Sequence, residues 1–124
     1  MYPLWSGRSS LPLEEVTAAF ERLGAGKALV LQPASGEVFM AEPFSAVPTA
    51  FEVESRGQRW YGNCIWDALG IPAALGQDAR VHSSCPDCGE ALEVVVRDGE
   101  LESTDGVVHY VVPARHWWQS MTFT

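Results

Sequence analysis

The chain has 124 residues, enough for one small domain or two tightly packed halves, and 47% of them are apolar. Sixteen acidic residues against eight basic ones give a formal charge of −8, which offers no basic face to nucleic-acid phosphates or to an anionic membrane. No apolar run reaches the roughly 18 residues of a membrane span, and the opening MYPLWSGRSSLPLEE lacks the basic start and apolar core of a secretory signal.

In chain order, residues 1–10 read as a loose lead-in. Leu13, Val16, Phe20 and Leu23 recur at near-helical spacing between Glu14, Glu15, Glu21 and Arg22, which predicts a helix over 11–23. Pro12 suits its first turn and Gly24 its end. Short strands are expected over 27–31 and 37–41, around a Pro33-Ala34-Ser35-Gly36 turn. Residues 43–48 are irregular. Phe51 and Val53 alternate with Glu52 and Glu54, the period of a strand with one buried face, over 50–55. Arg56 to Arg59 reads as a turn leading into a helix whose start is marked by Gly62-Asn63, Asn63 being a good N-cap type. A strand over 79–83 leads to a knuckle at Cys85–Gly89. The β-branched runs 92–96 and 107–112 predict strands, with turns at Asp98-Gly99 and Asp105-Gly106. Residues 79–112 would then form a meander packed on the Cys64 helix, and 117–124 would enter a last strand.

The chemistry concentrates in RWYGNCIWDALGIPAALG, residues 59–76. Cys64 and Asp67 are three apart, so a helix puts them on one face. A thiol in a first helical turn can have its pKa lowered by unpaired N–H groups and the dipole, making thiolate available near neutral pH. A carboxyl beside it, among Trp60, Ile65, Trp66 and Leu69, would be pushed up by desolvation and by the thiolate, and could hold a proton to deliver. The same residues also suit a buried free Cys acting as a small hydrophobe, with Asp67 facing solvent. The three cysteines, with no export signal, read as reduced thiols in a cytoplasmic protein.

The run YGNCIWDALGIPAALGQDARVHSSCPDCG resembles the core of the alkylmercury (organomercurial) lyase family. Tyr61-Gly62-Asn63-Cys64-Ile65-Trp66-Asp67-Ala68-Leu69 follows that family's aromatic–Gly–x–Cys–x–x–Asp–x–Leu pattern. Pro72-Ala73-Ala74-Leu75-Gly76 matches its helix end, and Ala79-Arg80-Val81-His82-Ser83-Ser84-Cys85 its next strand. The resemblance extends over about 50–124 and is vague before that. It implies an α+β fold: a truncated winged-helix-like N-terminal part, residues 1–48, packed on a mixed or antiparallel β-sheet core with a Cys-bearing helix, residues 49–124. The acidic, shortened first part speaks against DNA binding.

The resemblance further implies protonolysis of a carbon–mercury bond on a small organic or organometallic substrate, with no cofactor required. Cys64 would capture the soft metal and Asp67 would handle the proton and help hold the released ion. Cys85 matches a family cysteine that reads as structural. The family places a second active-site cysteine just after an aromatic segment like Trp117–Phe123, where this sequence stops. The expectation is a short member lacking that residue, unless Cys88, extra to the pattern, folds back toward Cys64.

Cys85-Pro86-Asp87-Cys88-Gly89 also has the shape of half a zinc ribbon. Cys64, His82, His109 and His116 are the other ligand types nearby in sequence, and no second Cys-x-x-Cys exists. The candidate metal ligands are therefore Cys64, Asp67, Cys85 and Cys88, with Hg(II) or Zn(II) as possible bound ions. The histidines read equally well as strand and capping residues, and Trp60, Trp66, Trp117 and Trp118 as core. Two alternatives to a lyase stay open: a non-catalytic binder of thiophilic metal, and a lyase fold repurposed for another thiol and acid reaction on an organic substrate. The sequence does not fix the oligomeric state.

Overall fold

A computed structural model describes residues 10–103 and 105–119. The chain divides into two compact units, residues 1–42 and 43–124.

In the first unit, α1 (Leu13–Ala25) leads to a hairpin of β1 (Val30–Leu31) and β2 (Val38–Ala41). The expected helix and hairpin are present, with shifted ends. Pro12 sits at the N-cap and Gly26 at the C-cap. Gly24, expected at the helix end, lies inside it, where an added Cβ would be 3.2 Å from Leu31 Cδ1. The hairpin closes through Gln32 N–H to the Glu37 carbonyl (2.8 Å) and Gly36 N–H to the Gln32 carbonyl (2.8 Å).

The second unit is α+β. Its strands are β3 (Phe44–Ser45), β4 (Glu52–Ser55), β5 (Gln58–Tyr61), β6 (Ala79–Ser84), β7 (Ala91–Arg97) and β8 (Glu100–Leu101), hydrogen-bonded in the order β3-β5-β4-β6-β7-β8. Every pairing described within it is antiparallel. Helix α2 (Ile65–Leu75) packs on this sheet, against β3, β4 and β6. The core is Val53, Ala68, Ile71, Ala79 and Val81, flanked by Phe44, Phe51, Trp60, Ile65, Leu69, Leu75 and Val94. Val53, Ile71 and Val81 are fully buried, and each contributes about 1.5–3 kcal/mol through the apolar surface removed from water. β4 alternates as its sequence demands, with Val53 and Ser55 inward.

Three elements differ from the sequence reading. Gln58 and Arg59 are strand, not turn. Arg56 (φ 49°) and Gly57 (φ 74°) alone make the reversal, a two-residue hairpin loop whose twist matches the flanking strands. Asp98 (φ 51°) and Gly99 (φ 79°) repeat this geometry between β7 and β8, as expected. Residues 107–112 form no strand. Val107 is 93% exposed and Val111 74% exposed, and β-branched residues favour strands only where a pleated neighbour half-buries them. The meander therefore ends at β8. Residues 114–119 are a 3-10 helix rather than a strand entry, and the expected strand over 120–124 lies outside the described residues.

Candidate functional site

β5 carries the chain to Gly62, whose N–H donates to the Phe51 carbonyl at 3.0 Å. The Gly62 carbonyl accepts the Thr49 hydroxyl, and Thr49 Oγ1 in turn accepts the Phe51 N–H at 3.1 Å. A residue held at both ends of its peptide fixes the bend that follows. The bend also passes against the first turn of α2: an ideal Cβ on Gly62 would lie 2.5 Å from the Ala68 nitrogen and 2.8 Å from its Cα. Only glycine allows that approach, so the Gly before Asn63 is a packing requirement.

Cys64, not Asn63, is the N-cap residue, with extended backbone (φ −142°, ψ 178°). Its carbonyl accepts the first helical bond, from Ala68 N–H at 3.0 Å. Asp67 is the third helical residue and the acidic group of the first turn. Pro72 is buried inside the helix, and its ring removes one helical donor. Gly76 ends the helix a turn later in the left-handed conformation (φ 61°), which favours glycine.

The structure brings Cys64 and Asp67 together, close enough for the carboxylate to act on the thiol. The expected lowering of the Cys64 pKa does not result. Burial in the half-covered site is the largest influence and raises the thiol, and the Asp67 charge and its hydrogen bond raise it further. The N–H groups of Asp67 and Trp66 pull the other way, but no side-chain cap bond closes on them. A partial dipole at the helix mouth is outweighed by desolvation plus a full negative charge three residues on. Cys64 therefore rests as a thiol beside a carboxyl.

Tyr110 is a site residue the sequence reading passed over. Burial raises its phenol pKa, and so do the charges of Cys64 and Asp67, which places its hydroxyl within electrostatic reach of both. Its ring packs on Trp117, with centroids 5.1 Å apart and planes tilted 40°. The Trp117 indole N–H donates to the Val112 carbonyl at 2.8 Å. The non-strand segment 107–119 is thus held around Tyr110 by contacts within itself. Its only sequence sign was a Tyr inside a β-branched run.

The other candidates lie apart. Cys85 and Cys88 are on the loop joining β6 and β7, Cys85 half-buried and Cys88 exposed. Cys88 does not join Cys64 and Asp67: among the described residues, no three His, Cys, Asp or Glu side chains gather as a metal-holding group. His82 stands on β6 between Glu54 (3.8 Å) and Glu93 (3.5 Å), the surface-strand role. His109 is exposed, and His116 Nε2 accepts the Arg115 side chain at 3.0 Å. Trp60 packs on the core, but Trp66 is 62% exposed and Trp118 43% exposed, so these two are not core. An open groove lined by Glu54, Ser55, Asp78, Arg80 and Arg97 lies at the far end of β4 from Cys64. Arg80 and Arg97 there are already paired with Glu93 and Glu102.

Comparison with known proteins gives the family. A family model described as MerB, alkylmercury lyase, matches residues 44–124. The chain belongs to the alkylmercury lyase family. Among solved structures, the mercury-bound form of MerB2 is similar at a TM-score of 0.60 and 26% identity, over 77% of this chain. This chain spans 46% of the length of that one. No curated protein matches the sequence. The lyase-family match covers the whole second unit except its first residue, so the Cys64–Asp67 helix and the Tyr110 segment both fall inside it. No helix among the described residues is long and apolar enough to cross a membrane.

Proposed function

We propose that this chain cleaves a carbon–mercury bond by protonolysis, with Cys64 and Asp67 as its catalytic residues. The observation that carries the reading is the thiol at the mouth of α2 with the Asp67 carboxylate close enough to act on it, inside a sequence that matches the lyase family.

Soft sulfur captures soft mercury. As the S–Hg bond forms, the thiol proton passes to the adjacent Asp67 carboxylate and the substrate's original counter-ligand leaves. The protonated Asp67 then delivers that proton to the carbon. The C–Hg electron pair goes to the new C–H bond, hydrocarbon departs, and Hg(II) stays on the Cys64 sulfur with the Asp67 carboxylate beside it. A small external thiol removes the ion. The raised Cys64 pKa suits this scheme, because the proton needed at carbon is already in the site. Tyr110, within electrostatic reach of Cys64 and Asp67 and stacked on Trp117, is the aromatic pair member nearest this chemistry.

The helix and hairpin of residues 1–42 correspond in this reading to a shortened winged-helix-like region without a nucleic-acid role. The reaction needs no cofactor.

The test is incubation of reduced protein with phenylmercury and excess small thiol, with benzene measured by gas chromatography. Benzene release that disappears in Cys64→Ser supports the reading, and wild-type protein releasing none ends it.

A further inference from the structure

The Cys85–Cys88 loop is not used by this chemistry, yet it is built like a ligand. Ser84 pairs with Ala91, so the β6–β7 hairpin narrows to six residues, 85–90. Cys85 N–H donates to the Glu90 carbonyl at 2.8 Å, and Gly89 N–H donates to the Cys85 carbonyl at 2.8 Å. Gly89 takes the left-handed conformation (φ 75°) that lets the chain turn back. The result is a loop closed across its base by backbone hydrogen bonds. The N–H groups of Cys88 and Asp87 and the Cys88 thiol act on the Cys85 thiol and lower its pKa. Two thiols three residues apart thus share one closed turn. Cys88 is exposed, so the pair opens to solvent.

We propose that Cys85 and Cys88 form a binding site for one thiophilic divalent cation of the zinc, cadmium and mercury class, separate from Cys64. Both sulfurs act as thiolates, and the N–H groups of Asp87 and Cys88 share the charge that accumulates on them. Pairing two thiolates on one tight loop selects a soft ion over Mg(II) or Ca(II), which take oxygen ligands. No third His, Cys, Asp or Glu among the described residues joins the pair, so solvent or small thiols complete the coordination. The register places this site at the same end of the sheet as the Cys64 helix. Tyr61 and His82 both pair with Glu52, and Cys64 and Cys85 each follow three residues later. The proposal does not depend on the lyase reading.

Cadmium is the probe, because its bonds to thiolate give an ultraviolet charge-transfer band. The background is full-length, reduced Cys64→Ser, which removes the other sulfur and any turnover. Titration is expected to saturate at one Cd(II) per chain and to protect both remaining thiols from a disulfide reagent. Cys88→Ser on that background is expected to lose the band, and circular dichroism of this exposed-site variant verifies its fold. Absence of the band in Cys64→Ser, or a band that survives Cys88→Ser, overturns the proposal. Saturation at one ion per two chains, with a dimer in native mass spectrometry, overturns the single-chain site in favour of a bridge between copies. Loss of benzene release in the wild type would leave this result untouched.

Discussion

Gly62 lies so close to Ala68 that a methyl group on the first would sit 2.5 Å from the backbone nitrogen of the second. This contact seats the mouth of α2 on the end of β5 and sets where Cys64 falls. Gly62→Ala must push helix and strand apart. The expected cost is about 1–3 kcal/mol, the usual range for overpacking a close contact. Denaturant unfolding measures that loss. Benzene release should fall by more than the lost folded fraction explains, because Cys64 and Asp67 move relative to each other. A variant with unchanged stability and turnover would show that the contact relaxes freely.

The pH dependence of Cys64 follows from its surroundings. Burial and Asp67 hold its pKa above the ordinary thiol value. The folded chain therefore keeps a proton that the unfolded chain has lost in the window just above that value. The stabilisation from this group is whole below the unfolded thiol pKa and fades as pH rises through the folded one. Alkylation of Cys64 against pH should show a midpoint above that of a free thiol. Asp67→Asn removes the carboxylate charge and should move the midpoint down. A midpoint at or below the free-thiol value in the wild type contradicts the electrostatics described.

Cys85 should behave in the opposite sense. The N–H groups of Cys88 and Asp87 and the Cys88 thiol lower its pKa. At neutral pH it should alkylate ahead of Cys64, and peptide mass spectrometry of a short labelling pulse reads the order directly. Faster labelling of Cys64 would reverse the assignment.

Ser55 holds the end of β4 to the loop after α2. It is 4% exposed, and its hydroxyl donates to the Asp78 carbonyl at 2.6 Å with the Gln77 side chain 3.0 Å away. Ser55→Ala leaves that carbonyl without its partner and should cost about 1–3 kcal/mol. Thermal unfolding checks this. Cys64 reactivity should stay unchanged, since Ser55 is at the far end of the strand. No loss of stability would mean that water replaces the hydroxyl.

Trp117 holds together the segment that carries Tyr110. Trp117→Phe keeps a ring against Tyr110 but loses the indole bond to Val112, worth about 0.5–1.5 kcal/mol net. The loss should appear locally, as faster hydrogen exchange over 107–119 with little change in the sheet. Equal exchange in both proteins would show that the bond does not hold the segment.

The two strongest marks in the sequence, Gly62-Asn63-Cys64 and Pro72 to Gly76, did bracket a short helix with Cys64 at its mouth. They work because glycine and proline act through backbone sterics within a few residues. The alternation of Phe51 to Glu54 located β4 because a period of two marks a strand with one buried face, and β5 and β6 flank it. The run over 107–112 failed because strand formation needs a neighbouring strand, and local composition cannot say whether one is present. Trp66 was misplaced because an aromatic residue in an apolar helix looks the same whether it faces the sheet or solvent.

By itself the sequence determined the helix that presents Cys64 with Asp67 one turn on, the reversals at 33–36 and Asp98-Gly99, and kinship with the lyases. Those rest on short-range geometry and on a motif. Tertiary structure alone decided the protonation balance of Cys64, the arrival of Tyr110, and the separation of the Cys85–Cys88 pair from the Cys64 site. Desolvation and the approach of distant segments exist only once the chain has folded.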